Sequence, residues 1–123
     1  MITFVQCVRR RPEITPAVFL RHWKLYGDQV RALAEASNAV RFSLNRMLAV
    51  EENLALIASR GTSEPFDGLV QISWTSGAAA MADIEQAFAG TEIAAMQRHQ
   101  AEFMDMERCS FFFTFQDQAF DRL

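Results

Sequence analysis

The feature that most constrains the fold is a stripe of large apolar residues that follows a helix start signal. Thr15 before Pro16 is typical of a helix N-terminus, with Thr as the N-cap and Pro at the first helical position. Five apolar residues then recur at steps of four, three, four and three: Phe19, Trp23, Tyr26, Val30 and Leu33. Because an α-helix turns every 3.6 residues, all five share one face. The pattern predicts an amphipathic helix that runs to about Ser37.

The rest of the chain predicts four strands and a second helical region. Residues 2 to 9, 39 to 49, 67 to 75 and 107 to 116 are rich in β-branched and aromatic residues or alternate between apolar and polar ones. Residues 76 to 106 are predicted to be helical, with Ser76 as N-cap, Gly90 as a stop and Thr91 as the cap of a second piece. Residues 50 to 66 are predicted to form one or two helical turns and then a loop.

The order of these elements is strand, helix, strand, strand, helix, strand. It predicts one domain over residues 1–123, of the α+β ferredoxin-like βαββαβ class, with a four-stranded antiparallel sheet whose first and last strands are neighbours. The helices cover one sheet face, yet Phe111, Phe113 and Phe115 alternate with Phe112 in the last strand. One of these rows needs another cover, and we expect a second copy packed face to face in a symmetric homodimer.

Composition and missing motifs argue against several classes of protein. A formal net charge of −3 gives no field that attracts nucleic acid. No apolar run has the length of a membrane span, and no secretory signal is visible, so we expect no membrane partner. Two distant cysteines outside any CxxC motif favour a reduced, cytoplasmic protein. The chain lacks a glycine-rich phosphate loop, a dinucleotide fingerprint and a nucleophile motif, which disfavours an ATP or NAD enzyme.

Four stretches together resemble the EthD family of dimeric α+β barrels. They are "RRRPEITPAVFLRHW" from residue 9, "VRFSLNR" from residue 40, "FDGLVQISW" from residue 66, which is the most specific, and "HQAEFMD" from residue 99. The resemblance implies a homodimer whose sheets form a barrel, with a ligand cleft between sheet and helices in each subunit. It also implies a place in the catabolism of small organic molecules, often near oxygenases, under a generic oxidoreductase label.

The first helix departs from the family pattern at one position. Members of the family commonly carry a histidine four residues after the helix tryptophan, and this chain has Gly27 there. A proton-transfer role for that histidine therefore does not carry over to this chain. Near the end of the second helix, the family usually has an acidic pair before the phenylalanine, and this chain has His99 and Gln100.

Three side chains are candidates for acid–base catalysis: His99, Tyr26 and His22. His22 and Tyr26 are four residues apart, so they are neighbours on one helix face. His99 lies on the apolar stripe of the second helix, and imidazole titrates near neutral pH, which suits it to proton transfer. Structural roles stay open for all three: a solvent-exposed His22, a packed Tyr26 with its hydroxyl at the rim, and a hydrogen-bonded His99 in the core.

Four further residues are candidates for contact with a ligand. They are Trp23, Asn45, Trp74 and Phe103, of which Asn45 projects from the polar face of the second strand, whereas core packing alone also accounts for the three aromatic residues. Glu102 lies three residues after His99, which is the spacing of half a carboxylate–histidine metal site. With two histidines in the chain, we expect no metal and no other cofactor.

These observations predict an EthD-like barrel that binds a small organic catabolite in a cleft between sheet and helices. Its predicted activity, as an enzyme, is a cofactor-independent oxygenase-like or lyase-like step in which His99 or the pair of His22 and Tyr26 does the acid–base work. Two alternatives stay open: a non-catalytic accessory or binding protein for a catabolic oxygenase, and a haem-binding barrel with His99 as axial ligand.

Overall fold

The structure is a computed structural model that describes residues 1–88 and 90–123. Its strands are β1 (Ile2–Val8), β2 (Arg41–Arg46), β3 (Gly68–Trp74) and β4 (Ser110–Phe115). Its helices are α1 (Pro16–Glu35), α2 (Glu51–Arg60), α3 (Gly77–Phe88) and α4 (Thr91–Phe103). All six predicted elements are present, and α2 is an additional helix in the segment before β3.

The four strands form one antiparallel sheet in the order β2-β3-β1-β4. The first and last strands are therefore neighbours, as predicted, and Ile2 lies opposite Phe115 while Cys7 lies opposite Ser110. This order, with a helix between β1 and β2 and helices between β3 and β4, is the ferredoxin-like arrangement. The predicted α+β fold class is confirmed.

Side-chain alternation assigns each strand residue to one of the two sheet faces. On β1, Phe4, Gln6 and Val8 point toward the helices. Their partners on the adjacent strands share that face, and these are Ile72, Val70 and Gly68 on β3 and Phe113 and Phe111 on β4. The other face carries the alternate residues, including Thr3, Val5, Gln71, Ser73 and Phe112.

The core forms where the helix-facing side of the sheet meets α1 and α4. Thr15 caps α1 because its Oγ1 accepts a hydrogen bond from the Val18 backbone nitrogen at 3.2 Å. The stripe predicted for α1 is the buried face of that helix, with Leu33 partly buried at its end. The cluster that it enters contains Val8, Phe19, Trp23, Tyr26, Val30, Val70, Met96, Phe103 and Met104.

Two distant parts of the chain meet where β3 begins. The Asp67 carboxylate accepts a hydrogen bond from the Arg10 backbone nitrogen at 2.8 Å and also lies 3.8 Å from the Arg10 Nε atom. The next residue, Gly68, lies directly beneath the indole ring of Trp23. Asp67 and Gly68 thus connect the start of β3 to the residue Arg10 after β1 and to the middle of α1.

Several boundaries differ from the prediction, among them β2, which is Arg41–Arg46, and β4, which begins at Ser110 and not at residue 107. α2 is ten residues long and contains no buried residue, which is why its sequence pattern is weak. Gly61 caps its C-terminus with a positive φ of 67°, which suits glycine. Thr91 is the first residue of α4 and not its cap, which is Gly90. The predicted first helical piece also includes Ala89, which lies outside the described residues. In the part of the chain that the structure describes, no helix has the length and apolar character that crossing a membrane requires.

The aromatic residues of β4 are only partly covered. Phe111, Phe113 and Phe115, on the helix-facing side, are 36%, 50% and 70% exposed, and Phe112 on the other side is 42% exposed. The main contacts of the helices with the sheet are those of α1 with β2 and of α3 with β3, on the side of the sheet away from β4. The single chain therefore buries neither row completely, and the predicted homodimer stays a prediction.

Candidate functional site

A mostly apolar cavity of about 250 Å³ lies between the sheet and helices α1, α3 and α4. This is the place where the sequence predicted a cleft. The sheet contributes Phe4, Gln6, Ile72, Trp74 and Phe113, and the helices contribute mainly aliphatic residues such as Val30, Leu33, Ile84, Ile93 and Met96. Such a lining, apolar with few polar groups, is typical of sites for small organic molecules.

Gln6 is the buried amide in this lining, with 3% of its surface exposed. Its Oε1 accepts a hydrogen bond from the Tyr26 hydroxyl at 2.6 Å. Within residues 1–88 and 90–123, the Nε2 atom of Gln6 donates to no side chain or backbone group. Every fully enclosed side-chain nitrogen or oxygen in those residues does have a hydrogen-bond partner. The Nε2 atom is therefore not fully enclosed, and the Gln6 side chain lines the cavity.

The Tyr26 hydroxyl links two amides inside the core. It donates to Gln6 and accepts from Gln100 Nε2 at 2.9 Å, so its position and orientation are fixed from both sides. Burial raises the pKa of Tyr26 to about 12, although the hydrogen bonds from Gln100 and to Gln6 act in the opposite direction. At neutral pH this hydroxyl is protonated, and it donates to the Gln6 amide oxygen.

A groove of about 600 Å³ adjoins the cavity and shares with it Leu33, Ser37, Asp83, Ile93 and Met96. Its charged lining residues are Asp83 and Glu92, and no lysine, arginine or histidine belongs to the described lining. The Asp83 carboxylate accepts from Trp74 Nε1 at 2.6 Å and from both the backbone and the side chain of Asn38. The groove beside the cavity thus carries negative charge.

A second group of residues lies on the seam between α1 and α4. His22 Nδ1 and His99 Nε2 are 3.0 Å apart, and His99 Nδ1 is 2.9 Å from Gln29 Oε1. The His22 ring stacks on Phe103 with a centroid distance of 5.3 Å and an interplanar angle of 6°. The fold therefore joins two histidines that are 77 residues apart in the sequence and supports them on one buried aromatic ring.

The surroundings of His99 favour its neutral form. Burial lowers the pKa of His99 below the ordinary imidazole value, and the neighbouring His22 acts in the same direction, whereas Glu102 opposes both. Because a glutamine Oε1 can only accept, Gln29 requires a proton on Nδ1 of His99. In the neutral ring, Nε2 then carries the lone pair and points at His22.

The predicted site residues do not form one site. Trp74 lines the cavity, and Tyr26 reaches it through Gln6. His22, His99 and Phe103 form the separate group on the helix seam. Trp23 is a core residue, 3% exposed, stacked on Phe19 with ring centroids 5.4 Å apart.

Asn45 does not face the cavity between sheet and helices, and its predicted contact with a ligand stays a prediction. Asn45 pairs with Leu69 in the register of β2 with β3, while the adjacent Leu44 pairs with the core residue Val70. Because strand side chains alternate, Asn45 points away from the helices, and its amide donates to Ser43 on the same open face.

Close packing between α1 and β2 explains the glycine at position 27. α1 continues through it, and a Cβ at this residue would overlap the side chain of Leu44 on β2. A larger side chain at this position would therefore have to displace β2 side chains, so the glycine lets α1 approach the sheet.

Sequence reasoning missed four residues: Gln6, Asp83, Gln29 and Gln100. Gln6 had a usable signal, because it is the polar member of an otherwise apolar alternate row between Phe4 and Val8. The remaining three act through partners that are distant in the sequence or in another element, and no local pattern marks them.

A family model shows to which protein family this chain belongs. Residues 11–107 match the model of the EthD domain, which is more than half of the sequence. The chain belongs to the EthD family. The EthD match includes both histidines and all of α1 and α4, whereas β1 with Gln6 lies outside the matched residues. A comparison with curated proteins gives no significant match.

Solved structures support the EthD assignment at the level of fold. A dimeric protein of unknown function from Bacteroides fragilis, with a ferredoxin-like fold, is 9% identical with a TM-score of 0.63, over 92% of this chain and 93% of that one. HapK from Hahella chejuensis is 16% identical with a TM-score of 0.60 over 99% of each chain. A variant of SnoaB, a cofactor-independent oxygenase from Streptomyces nogalater, is 14% identical with a TM-score of 0.59, over 98% and 97%.

Proposed function

We propose that this EthD protein binds a small, neutral, mostly apolar organic molecule that carries a hydrogen-bond acceptor such as a carbonyl group. The observation that supports this most directly is the Gln6 amide in an otherwise apolar cavity. Its oxygen is held by Tyr26, so its nitrogen offers one oriented donor to a ligand. A buried donor with a fixed direction favours ligands that can accept a hydrogen bond over hydrocarbons of the same shape.

The charge of the adjoining groove supports a neutral ligand. A carboxylate or phosphate on the ligand would pass Asp83 and Glu92 without meeting a basic side chain in the described groove. Like charges at short range in a partly desolvated groove oppose binding. A ketone, aldehyde, quinone or lactone of aromatic or aliphatic type fits both the apolar walls and the single amide donor.

The cavity lining supports binding more strongly than acid–base catalysis inside the cavity. Its one ionisable described residue is Asp83, whose oxygens already accept hydrogen bonds from Trp74 and Asn38. His99 does not belong to the lining, which also argues against haem in this cavity with His99 as axial ligand. The proposal therefore favours the accessory or binding role.

Gln6→Met is expected to weaken carbonyl binding about tenfold, because a hydrogen bond to a buried amide contributes roughly 1 kcal/mol or slightly more. The measurement is calorimetric or fluorescence titration with acetophenone and with α-methylstyrene, which differ chiefly in the oxygen that replaces a methylene group. We expect the original protein to prefer acetophenone and the variant to lose that preference.

The matched control for this titration is Gln71→Met, the same substitution on β3. Gln71 lies opposite Val5 on the sheet face away from the helices, so its loss should leave both affinities unchanged. Equal binding of the two compounds by the original protein would refute the role of Gln6. Mass spectrometry of a co-purified ligand would then identify the class of molecule directly.

A second candidate function is a cofactor-independent oxygenase-like or lyase-like reaction. The groove is lined by Gln29, whose Oε1 accepts from His99, so a molecule in the groove lies one residue away from the histidines. The fold shared with a cofactor-independent oxygenase supports this candidate further. Oxygen uptake or conversion of a co-purified ligand, lost in His99→Ala, would favour catalysis, and binding without conversion favours the accessory role.

We also propose that the protein is a homodimer. The partly exposed phenylalanines of β4 support this, as does the dimeric state given for the structurally similar Bacteroides fragilis protein. Light scattering at micromolar concentration is expected to give twice the chain mass of 14.0 kDa. A mass of one chain over the whole concentration range would contradict this proposal.

A further inference from the structure

We infer that His22, His99 and Glu102 form a binding site for one divalent first-row transition metal ion. One ligand atom from each of the three residues lies within 4.8 Å of the other two. The sequence led us to expect no metal because the chain has two histidines. The fold supplies what spacing alone did not, by placing His22 of α1 against the His99–Glu102 pair of α4.

The distance between the two imidazole nitrogens fits a shared ion. Nδ1 of His22 and Nε2 of His99 are 3.0 Å apart. With metal–nitrogen bonds of about 2.0–2.1 Å, that separation corresponds to an angle of roughly 90° at the metal. This is the angle between neighbouring ligands in an octahedral site, and opening it to a tetrahedral angle needs a shift of only a few tenths of an ångström.

The group of two histidines and one carboxylate specifies the class of ion. Three protein ligands of this type, with the remaining positions open, occur in sites for Zn²⁺ and for non-haem Fe²⁺. Hard cations such as Mg²⁺ and Ca²⁺ prefer oxygen ligands and fit two imidazoles poorly. The site is therefore expected to prefer transition metal ions over the alkaline earth ions.

Gln29 orients His99 in the way that hydrogen-bond acceptors behind metal-bound histidines do. Its Oε1 accepts the Nδ1 proton of His99 at 2.9 Å, which leaves Nε2 as the lone-pair atom that points at His22. Metal-bound histidines commonly donate their other ring nitrogen to such an acceptor, which holds the ring and its tautomer. A hydrogen bond between two histidines accounts for the short nitrogen distance alone, whereas the metal site also accounts for Gln29 and for Glu102.

The support beneath the site and the opening above it also suit a metal. Phe103 is fully buried and stacks on His22, so it fixes the ring from below. Both histidines are partly exposed and Glu102 is exposed, so the open side of the site can admit an ion and its water molecules. None of the three ligands lines the apolar cavity, and the inference is therefore independent of the proposed ligand binding.

The test is metal titration of the full chain after treatment with a chelator, with Zn²⁺ followed by calorimetry and Co²⁺ followed by its visible absorption. The original protein is expected to bind one ion per chain with millimolar Mg²⁺ present. His99→Ala should weaken binding by more than about 100-fold, since loss of an outer hydrogen-bond partner alone costs about 10- to 100-fold. Gln29→Leu should weaken metal binding by about 10- to 100-fold.

Glu102→Gln is the decisive variant, because Glu102 is exposed and its replacement leaves the core intact. It should weaken Zn²⁺ binding and change the Co²⁺ spectrum, while Glu92→Gln, an exposed acid earlier on the same helix, should do neither. Absence of stoichiometric binding by the original protein, or equal binding by Glu102→Gln and Glu92→Gln, would overturn the inference. Acetophenone binding would persist in either event, which separates this test from that of the proposed function.

Metal occupancy also bears on the second candidate function. An ion would take the lone pair of His99 that a free base needs. Oxygen uptake that a chelator abolishes and Fe²⁺ restores would assign the activity to the metal-bound state, whereas uptake that chelation leaves unchanged would assign it to the free histidines.

Discussion

Phe103→Ala is expected to lower the free energy of unfolding by about 3–5 kcal/mol, the usual cost of removing a fully buried phenylalanine. Phe103 is 0% exposed. Its ring contacts the rings of Phe19, Tyr26 and His99 at centroid distances of 5.8, 5.5 and 5.0 Å, and α1 meets α4 at this point. Because a packed core relaxes only partly around a removed side chain, we expect a cavity to remain.

The measurement for Phe103→Ala is chemical denaturation at constant protein concentration, because a dimer makes stability depend on concentration. Leu25→Ala is the matched control: Leu25 lies on α1 and is 61% exposed, so its loss should change the unfolding free energy by no more than about 0.5 kcal/mol. A loss below about 1 kcal/mol for Phe103→Ala would show that the seam between α1 and α4 is not part of the folded core.

Gly68→Ala is expected to destabilise the protein by about 1–3 kcal/mol, although it adds a single methyl group. A Cβ at this position would lie 2.6 Å from Cη2 and 2.9 Å from Cε2 of Trp23. The indole is itself buried and stacked on Phe19, so it cannot turn away without disturbing the core. The cost comes from overpacking and not from backbone strain, because Gly68 does not have a positive φ.

Gly77→Ala is the control for that substitution. A Cβ at Gly77 meets nothing within 4 Å, and this residue begins α3, where alanine is favoured over glycine. Thermal unfolding should therefore show a lower midpoint for Gly68→Ala and an equal or higher one for Gly77→Ala. Equal midpoints for the two variants would mean that the close approach of Trp23 to β3 does not constrain residue 68.

Most of the fold could be predicted from the periodic spacing of apolar residues in the sequence. The stripe from Phe19 to Leu33 and the cap at Thr15 determine α1 because helix geometry depends on neighbours three and four residues apart. The four strands follow from alternation and β-branched content in the same local way. α2 was underestimated because its residues contact no core, so its sequence carries no stripe of buried positions.

The site was predicted less well than the fold, and the reason is visible at Asn45 and Gln6. Both are polar residues on strands, but they point to opposite faces of the sheet, and the register with β3 decides which face meets the helices. That register depends on pairing between strands that are far apart in the sequence. Local patterns therefore could not tell which of the two amides faces the helices.

The sequence by itself determined the α+β class, the order of the strands and helices, the buried face of α1 and the candidate histidines, because these depend on residue type and short-range spacing. Only the tertiary structure decided that His22 meets His99, that Gln29 orients it, and that Tyr26 holds the Gln6 amide at the cavity. Each of these contacts joins residues of different elements, and only the packing of α1 and α4 against the sheet brings them within hydrogen-bond distance.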